Sequence, residues 1–278
     1  MSIRCKNTKK TLHLFKTKSM TLMKRILFGG LTALSVLLII GCKKDKPEKW
    51  EDYEGAGYVN LGLSVCWASC NLGTTNPQDP GNLFAWGETE TKTFFNIGNG
   101  SYKYGKGVTD RFTEITKYVL EDSLNPYGPA DNKTVLDPSD DAATMALGSS
   151  WHIPTEDEWG ELIATSANKK HYKWEYVTGG LKIKYLDTGA TLFLPAAGYV
   201  MEGKDILRRD VEGLYWSSTL SEYGYEPSER ALYFRFDTVE KKMYDLNTIG
   251  ENSQGKSVYG QLRFRGLSVR PVRRPPVG

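Results

Sequence analysis

The amino-acid sequence predicts an α+β fold with many short strands, few helices and long irregular connections. Short segments that alternate apolar and polar residues recur beyond residue 57, and turn residues separate them. Only two segments carry the residues that typically begin a helix. Connections rich in glycine, asparagine and aspartate fill much of the remainder, above all residues 71–82, 96–110 and 220–230. Many short strands with few helices in one chain are typical of the α+β class.

The first predicted strand covers residues 58–68. Apolar residues alternate along it, and a strand would place on one side Leu61, Leu63, Val65 and Trp67. Gly62 interrupts the alternation and predicts a bend, because glycine adopts backbone angles that other residues avoid.

A hairpin is predicted at residues 181–194. Apolar residues at 181, 183 and 185 alternate with lysines at 182 and 184. An Asp-Thr-Gly turn follows at 187–189, and the apolar segment 191–194 then returns. Strand composition recurs at residues 215–218, 232–236 and 261–265.

A first, short helix is predicted after residue 137. Asp137 is a suitable N-cap, Pro138 suits the first helical position, and Asp140 places a negative charge in the first turn. Gly148 is expected to end this helix.

A second helix is predicted to begin after Thr155. Residues 155–158 read Thr-Glu-Asp-Glu, which is a capping box. Trp159, Leu162 and Ile163 follow at spacings of three and four, so they share one face of the helix. We therefore expect Trp159 to be buried.

Residues 1–41 have the composition of a secretory signal. Eight basic residues occur by position 25, whereas the first acidic residue is Asp45. The uncharged stretch 26–41 follows, and it is too short for a comfortable membrane span. A start at Met20 or Met23 would give a signal of more ordinary length. The alternative is an N-terminal anchor helix that is not cleaved.

The leader ends in Ile39-Ile40-Gly41-Cys42, which resembles the lipobox of bacterial lipoproteins. That resemblance implies cleavage before Cys42 and a diacylated thiol on Cys42. Residues 42–57 are highly charged and predict a solvated, lipidated tether. We then expect a single domain over 58–273, a tail over 274–278, and a lipid-anchored location at the cell outer membrane or cell surface.

Net charge changes sign once the leader is set aside. The whole chain has 36 basic and 33 acidic residues and a net charge of +3. Removal of the eight basic leader residues leaves 28 basic against 33 acidic residues, which is a net charge of −5. The basic character therefore comes from the leader alone, and a nucleic-acid partner is not predicted.

The sequence contains one motif that imitates a nucleotide-binding site. Residues 250–257 match the phosphate-loop pattern G-x-x-x-x-G-K-[ST]. A true phosphate loop opens a helix, whereas residues 258–264 have strand composition. We therefore predict a connecting loop that binds no nucleotide.

The sequence beyond the leader contains no complete catalytic motif among those considered. Beyond the leader the only histidines are His152 and His171, and the G-x-S-x-G nucleophile motif does not occur. We interpret His152, just before the predicted second helix, as a packed or surface residue.

Cys66 and Cys70 remain once Cys42 is lipidated. In a continuous strand their α-carbons would lie about 13 Å apart, beyond the roughly 7 Å limit of a disulfide. We therefore expect two unpaired cysteines in the core.

Calcium is the alternative considered for one cluster of oxygen-bearing side chains. The cluster comprises Asp131, Asn132, Asp137, Asp140 and Asp141. These are hard ligands of the kind that calcium prefers. The predicted first helix already explains Asp137 as its N-cap and Asp140 as a charge in its first turn, so no metal or other cofactor is predicted.

Seven blocks along the chain together resemble the Fibrobacter succinogenes major paralogous domain, which is common in lipoproteins of Bacteroides-type bacteria. They are YVNLGLSVCWASCNLG (58–73), NLFAWGETE (82–90), DNKTVLDPSDDAA (131–143), SSWHIPTEDEWGEL (149–162), LFLPAAGY (192–199), GLYWSST (213–219) and GLSVRPV (266–272). The block around 151–159 is also similar to a signature of formylglycine-generating enzymes. The resemblance implies a C-type-lectin-like fold with a twisted antiparallel sheet, about two helices and long loops.

The resemblance does not bring an enzymatic activity with it. Formylglycine-generating enzymes bind copper through two cysteines near the C-terminal end, whereas this chain has no cysteine after Cys70. A Cu(I) site of that kind needs the thiolates.

A binding face is the remaining functional prediction. Aromatic residues beside polar ones suit glycan and protein ligands alike, and the candidates are Trp86, Glu88, Tyr199, Tyr215 and Trp216. The competing interpretation is that these tryptophans belong to the core. We predict a non-catalytic binding or adhesion module of the cell envelope; the alternative is an enzyme on a degenerate fold of the formylglycine-generating type.

Overall fold

The computed structural model describes residues 57–98, 101–105, 115–121, 129–222, 227–244, 246, 249–251 and 257–275. The predicted signal, Cys42 and the tether up to residue 56 lie outside these ranges. The described part combines two α-helices with several antiparallel sheets and long irregular segments, which confirms the α+β class. Within it, no helix has both the length and the apolar character needed to cross a membrane.

The described residues form fifteen strands. They are β1 (Tyr58–Val59), β2 (Cys66–Ala68), β3 (Leu83–Phe84), β4 (Trp151–His152), β5 (Tyr172–Val177), β6 (Gly180–Tyr185), β7 (Thr191–Pro195), β8 (Glu212–Leu220), β9 (Arg230–Asp237), β10 (Lys242–Tyr244), β11 (Ile249–Glu251), β12 (Ser257–Tyr259), β13 (Gln261–Leu262), β14 (Leu267–Ser268) and β15 (Val272–Arg273). The two helices are α1 (Ala142–Leu147) and α2 (Glu156–Ala164).

A first sheet joins the two ends of the domain in the order β1-β2-β15-β4. The prediction of one strand over 58–68 is wrong, because β1 and β2 pair with each other as a hairpin. The predicted bend at Gly62 is confirmed: its φ is +73°, and its amide donates to Asn60 Oδ1 at 2.8 Å. This local turn folds the alternating segment back on itself.

The central sheet has the order β10-β9-β8-β14-β3, and β13 pairs with β9. The predicted strand segments 215–218 and 232–236 lie inside β8 and β9. Every residue of β8 is buried. The segment 261–265 is only partly a strand, because β13 ends at Leu262 and a turn follows.

The predicted hairpin at 181–194 is confirmed by a third sheet of order β5-β6-β7. Leu181 pairs with Leu194 and Lys184 pairs with Thr191. Gly189 has φ +83° in the turn between β6 and β7. One face of this sheet packs into the core through leucine and isoleucine, and the lysines take the opposite face.

Helix α1 begins later than predicted. Residues Pro138–Asp140 form a 3-10 turn, and the N-cap of α1 is Asp141, whose carboxylate accepts the Thr144 amide at 2.9 Å. The expected N-cap, Asp137, makes no capping bond and instead pairs with Lys117 and Lys133. Gly148 ends the helix as predicted, with φ +92°.

Helix α2 has the predicted capping box. The Glu158 amide donates to Thr155 Oγ1 at 3.3 Å, and the Thr155 amide donates to the Glu158 carboxylate at 2.8 Å. Trp159 is fully buried, as expected. Its ring stacks on Phe234 with centroids 4.9 Å apart, and its Nε1 donates to the Trp216 carbonyl at 3.2 Å.

Two buried arginines tie distant segments together. Arg263 lies among four aromatic rings and donates to Tyr102 Oη and to the carbonyls of Lys117, Tyr118 and Ser228 at 2.9–3.3 Å. Arg270 donates to Ala68 O, Asn71 Oδ1 and Phe193 O at 2.8–2.9 Å. The planar guanidinium can reach several acceptors at once, so each side chain fixes irregular backbone that no strand ladder holds.

Candidate functional site

The structure places three of the five predicted ligand-binding residues in the core. Trp86 is 1% exposed and Tyr215 and Trp216 are 0% exposed. Their polar atoms are used internally, because they donate to backbone carbonyls of Ser217, Pro195 and Phe84 at 2.7–2.8 Å. The predicted binding face is wrong for these three residues, and the interpretation of the tryptophans as core is confirmed.

The other two predicted residues have structural partners. Glu88 pairs with Lys92 at 2.7 Å and accepts the Lys103 amide at 2.8 Å. Tyr199 is half-buried against the same core cluster as Trp86, and its backbone bridges to Leu207. The five residues therefore do not combine into an exposed aromatic platform.

In the cluster considered for calcium, side-chain oxygens accept hydrogen bonds from backbone amides of the protein. Asp131 accepts the amides of Tyr118 and Val119 at 2.9 Å, and Asn132 Oδ1 accepts the amide of Glu121 at 2.8 Å. Asp141 caps α1 and also accepts the Ile153 amide at 2.8 Å. The described residues contain no group of three His, Cys, Asp or Glu side chains arranged to hold a metal ion.

The motif that imitates a phosphate loop connects two antiparallel strands. β11 ends at Glu251 and β12 begins at Ser257, and these two residues face each other in the register. Residues 252–256, including Lys256, lie outside the described residues. A strand and not a helix follows the motif, in agreement with the strand composition of residues 258–264.

His152 is half-buried, and its Nε2 lies 2.9 Å from Glu158 Oε1. Burial alone would lower the pKa of His152, but the hydrogen bond and charge of Glu158 outweigh it and raise the pKa. His152 therefore holds the Glu158 carboxylate, which is part of the capping box of α2. Cys66 and Cys70 are both buried and unpaired, as predicted.

An open cleft of about 700 Å³ lies between the first and third sheets. Its walls combine apolar, hydroxyl, amide and ammonium groups, supplied by Gly57, Val59, Ser69, Pro77, Gln78, Val177, Thr178, Lys182, Thr191 and Phe193. Three segments of chain contribute: the β1–β2 hairpin, the loop after β2, and the outer face of the third sheet.

The aromatic side of the cleft depends on Gly180. A Cβ at this position would lie 2.4 Å from the ring of Phe193 and 2.6 Å from the Leu194 carbonyl oxygen. The glycine therefore lets the Phe193 ring lie across β6 on the outer face of the sheet. Lys182 pairs with Phe193 in the register, so an ammonium group and an aromatic ring are neighbours in the cleft.

The opposite wall is held by local hydrogen bonds. The Ser69 amide donates to the Gly57 carbonyl at 2.7 Å. In the loop, Asn76 Nδ2 donates to Asp79 Oδ1 at 2.9 Å, and Asn76 Oδ1 accepts the Gln78 amide at 3.2 Å. Such side-chain turns fix a short loop without a regular ladder, so Pro77 and Gln78 occupy defined positions.

Arg270 supports the cleft from within the core. It is fully buried and connects three parts of the surroundings: Ala68 before Ser69, Asn71 at the start of the loop, and Phe193 on β7. Burial lowers the pKa of Arg270. Because its three acceptors lie on different segments, Arg270 fixes their relative positions.

The cleft offers both hydrogen-bond donors and hydrogen-bond acceptors beside an aromatic surface. The hydroxyls of Ser69, Thr178 and Thr191 and the amide of Gln78 donate and accept, and Lys182 donates. None of the ten lining residues is a histidine, cysteine or carboxylate. This composition is typical of a binding site.

Sequence reasoning missed this site, although one signal for it existed. Lys182 and Lys184 alternate with buried residues and identify the outer face of β6. Phe193 lies on the corresponding face of β7, where an apolar ring is unexpected. The contributions of Ser69 and Gln78 depend on tertiary contacts that the sequence does not reveal.

Comparison with models of known protein families, with curated proteins and with solved structures finds no significant match for this chain. The resemblance to the Fibrobacter succinogenes major paralogous domain therefore stays a prediction from the sequence blocks.

Proposed function

We propose that this chain is a non-catalytic, glycan-binding module of the bacterial cell envelope, anchored by a lipid on Cys42. The observation that carries the proposal is the cleft beside Phe193, with its aromatic ring and its row of hydroxyl, amide and ammonium groups. A sugar ring presents C–H groups on its face and hydroxyls around its edge. An aromatic surface with hydrogen-bonding neighbours complements both.

Binding is a better account of the cleft than catalysis. General acid–base catalysis and the activation of nucleophiles are most often carried out by histidine and carboxylate side chains. Lys182 is the only titratable side chain among the ten that line the cleft. The neutral hydrogen-bonding groups around it suit recognition.

Two further parts of the proposal come from the sequence. The lipobox-like segment before Cys42 supports export and lipid anchoring. The seven sequence blocks support a C-type-lectin-like fold, and two α-helices, antiparallel sheets and long irregular segments are compatible with it.

A glycan array with the full chain, purified in detergent, tests the proposed function. We expect binding to a defined subset of glycans, each recovered at its original mass after incubation. Phe193→Ala should weaken binding of these glycans about ten-fold, because the aromatic contact is lost. Phe94→Ala is the matched control: Phe94 is 52% exposed and lies outside the cleft, so its loss should leave affinity unchanged.

Two outcomes would contradict the proposal. The absence of binding to any glycan on the array would remove the glycan as ligand class. Release of glycan fragments or of modified glycan would favour the alternative enzyme. Melting temperatures of both variants should stay close to that of the parent, so that a loss of affinity is not a loss of fold.

A further inference from the structure

The outer face of the third sheet concentrates positive charge in an acidic domain. Lys173 on β5 pairs directly with Lys184 on β6, and Lys182 lies two residues before Lys184 on the same face. The chain without its leader has a net charge of −5, from 28 basic and 33 acidic residues. The lysine face is therefore opposite in sign to the domain that carries it.

The pairing of Lys173 with Lys184 is unfavourable in itself. Like charges directly opposite in an antiparallel sheet repel each other and destabilise the pair. Glu175 offsets part of this repulsion, with Oε1 2.7 Å from Lys173 Nζ. The hydrogen bond from Lys173 lowers the pKa of Glu175; burial opposes it, and the charges of Lys173, Lys182 and Lys184 act in the same direction as the hydrogen bond.

One carboxylate does not balance three ammonium groups. His171, immediately before β5, and Asp187, in the turn after β6, pair with each other at 2.8 Å. Lys169 and Lys170, which precede His171, are exposed and add to the positive field. The face thus keeps an excess of positive charge.

The lysine face is continuous with the cleft. Lys182 lines the cleft, and Lys184 pairs in the register with Thr191, which lines it as well. A ligand that rests on Phe193 therefore lies beside Lys182, and Lys184 lies on the same face two residues further along β6. Each of these can donate a charge-assisted hydrogen bond to an anionic oxygen.

We infer that the glycan bound in this cleft is acidic, carrying carboxylate or sulfate groups that contact Lys182 and Lys184. The inference rests on the proposed function and specifies its ligand class. A concave cleft with an aromatic ring and hydroxyl groups suits an oligosaccharide chain better than the surface of an anionic bilayer, which would require a flat or protruding basic face.

The test compares glycans with and without acidic groups. The full chain is titrated with uronate-containing and sulfated oligosaccharides from the array and with their carboxyl-reduced or desulfated forms. We expect the acidic forms to bind at least about ten-fold more tightly, with affinity falling as salt is raised. The variant with both Lys182→Gln and Lys184→Gln should lose about ten-fold in affinity for the acidic forms.

Matched controls separate a specific site from general charge. The variant with Lys204→Gln and Lys241→Gln makes the same change in net charge at exposed lysines outside the third sheet. It should bind as the parent does. An equal loss in both double variants would overturn the inference in favour of non-specific attraction.

The remaining outcomes distinguish this inference from the proposed function. Equal binding of acidic and neutral forms would overturn the inference and leave glycan binding intact. Lack of binding to every glycan would overturn both. Stronger binding to phosphatidylglycerol vesicles than to any acidic glycan, lost in the variant with Lys182→Gln and Lys184→Gln, would assign the lysine face to a membrane surface.

Discussion

Asp140 is a buried carboxylate held by cations and a phenol. Its oxygens accept from Lys103 at 2.8 Å and from Lys117 and Tyr118 at 2.6 Å. Burial alone would raise the pKa of Asp140, but these hydrogen bonds outweigh it and hold the pKa well below its usual range. The residue that the sequence suggested as a helix charge or calcium ligand is the centre of an internal network.

Asp140→Asn should reduce the free energy of unfolding by about 1–3 kcal/mol at pH 7, because hydrogen bonds to a charged group are lost. A carboxyl whose pKa is depressed by folding stabilises the protein fully above its ordinary pKa of about 3.9, and this contribution disappears as pH falls below it. The difference between parent and variant should therefore shrink between about pH 4 and pH 2. Denaturant unfolding at several pH values measures it.

Asp205→Asn is the control for this experiment, because Asp205 is an exposed loop residue. It should change stability by less than about 0.5 kcal/mol at any pH. A difference between parent and Asp140→Asn that stays constant from pH 7 to pH 2 would show that the charge of Asp140 is not what stabilises the network.

Helix α2 shows how a local sequence signal and a tertiary contact combine. The capping box lies within four residues, so the sequence could predict it. The Glu158 carboxylate of this capping box also contacts His152. Burial alone would raise the pKa of Glu158, but the hydrogen bond with His152 outweighs burial and the pKa is lowered. Trp159 then joins α2 to β8 and β9 through Trp216 and Phe234.

Two substitutions separate these contributions. Thr155→Ala removes the cap and should cost about 0.5–2 kcal/mol. Trp159→Ala removes a fully buried ring and should cost about 3–5 kcal/mol. Both losses should be visible in chemical denaturation, and glycan affinity should fall only as far as folded protein is lost.

Gly160→Ala is the matched change on the exposed side of α2. A Cβ there meets nothing within 4 Å, and the position is helical. Alanine should therefore stabilise the protein by about 0.5–1 kcal/mol. If Trp159→Ala folded with parental stability and lost only ligand binding, the segment would be a recognition surface and our account of α2 would be wrong.

Element boundaries were predicted only where the signal was local. The turn at 187–189 and Gly148 act within a few residues, and both predictions are confirmed. Asp137 and Asp141 are both acceptable N-caps by sequence, and the choice of Asp141 is coupled to the Ile153 amide, twelve positions away. The 58–68 alternation likewise could not reveal that its two ends pair with each other.

At the scale of the whole molecule, the sequence predicted the fold class but not the position of the site. Aromatic residues at 86, 215 and 216 are equally compatible with a surface and with a core. Both faces of β8 are buried at 215 and 216, and Trp86 is buried as well. The cleft depends on Arg270, whose acceptors lie 77 to 202 positions away. Such contacts cannot be predicted from the spacing of residues in the sequence.

Lipid anchoring is the whole-molecule prediction that stands on the sequence alone. Cys42→Ser should abolish incorporation of labelled palmitate and leave an unprocessed precursor, because the acylated thiol is absent. Stable attachment follows from burial of the acyl chains at about 0.8 kcal/mol per CH₂. Cys5→Ser changes a cysteine in the predicted leader and should leave labelling intact; palmitate incorporation by Cys42→Ser would contradict the predicted anchor.

The central claim is that the cleft beside Phe193 is the ligand site, and hydrogen–deuterium exchange of the full chain with and without a bound acidic oligosaccharide tests it most directly. We expect slower exchange in peptides that cover residues 69–78 and 177–182, because these segments contain six of the ten residues that line the cleft. Exchange in residues 143–148 should be unchanged, although this segment borders two smaller depressions. Slower exchange confined to 143–148, with none at 69–78 or 177–182, would contradict the account.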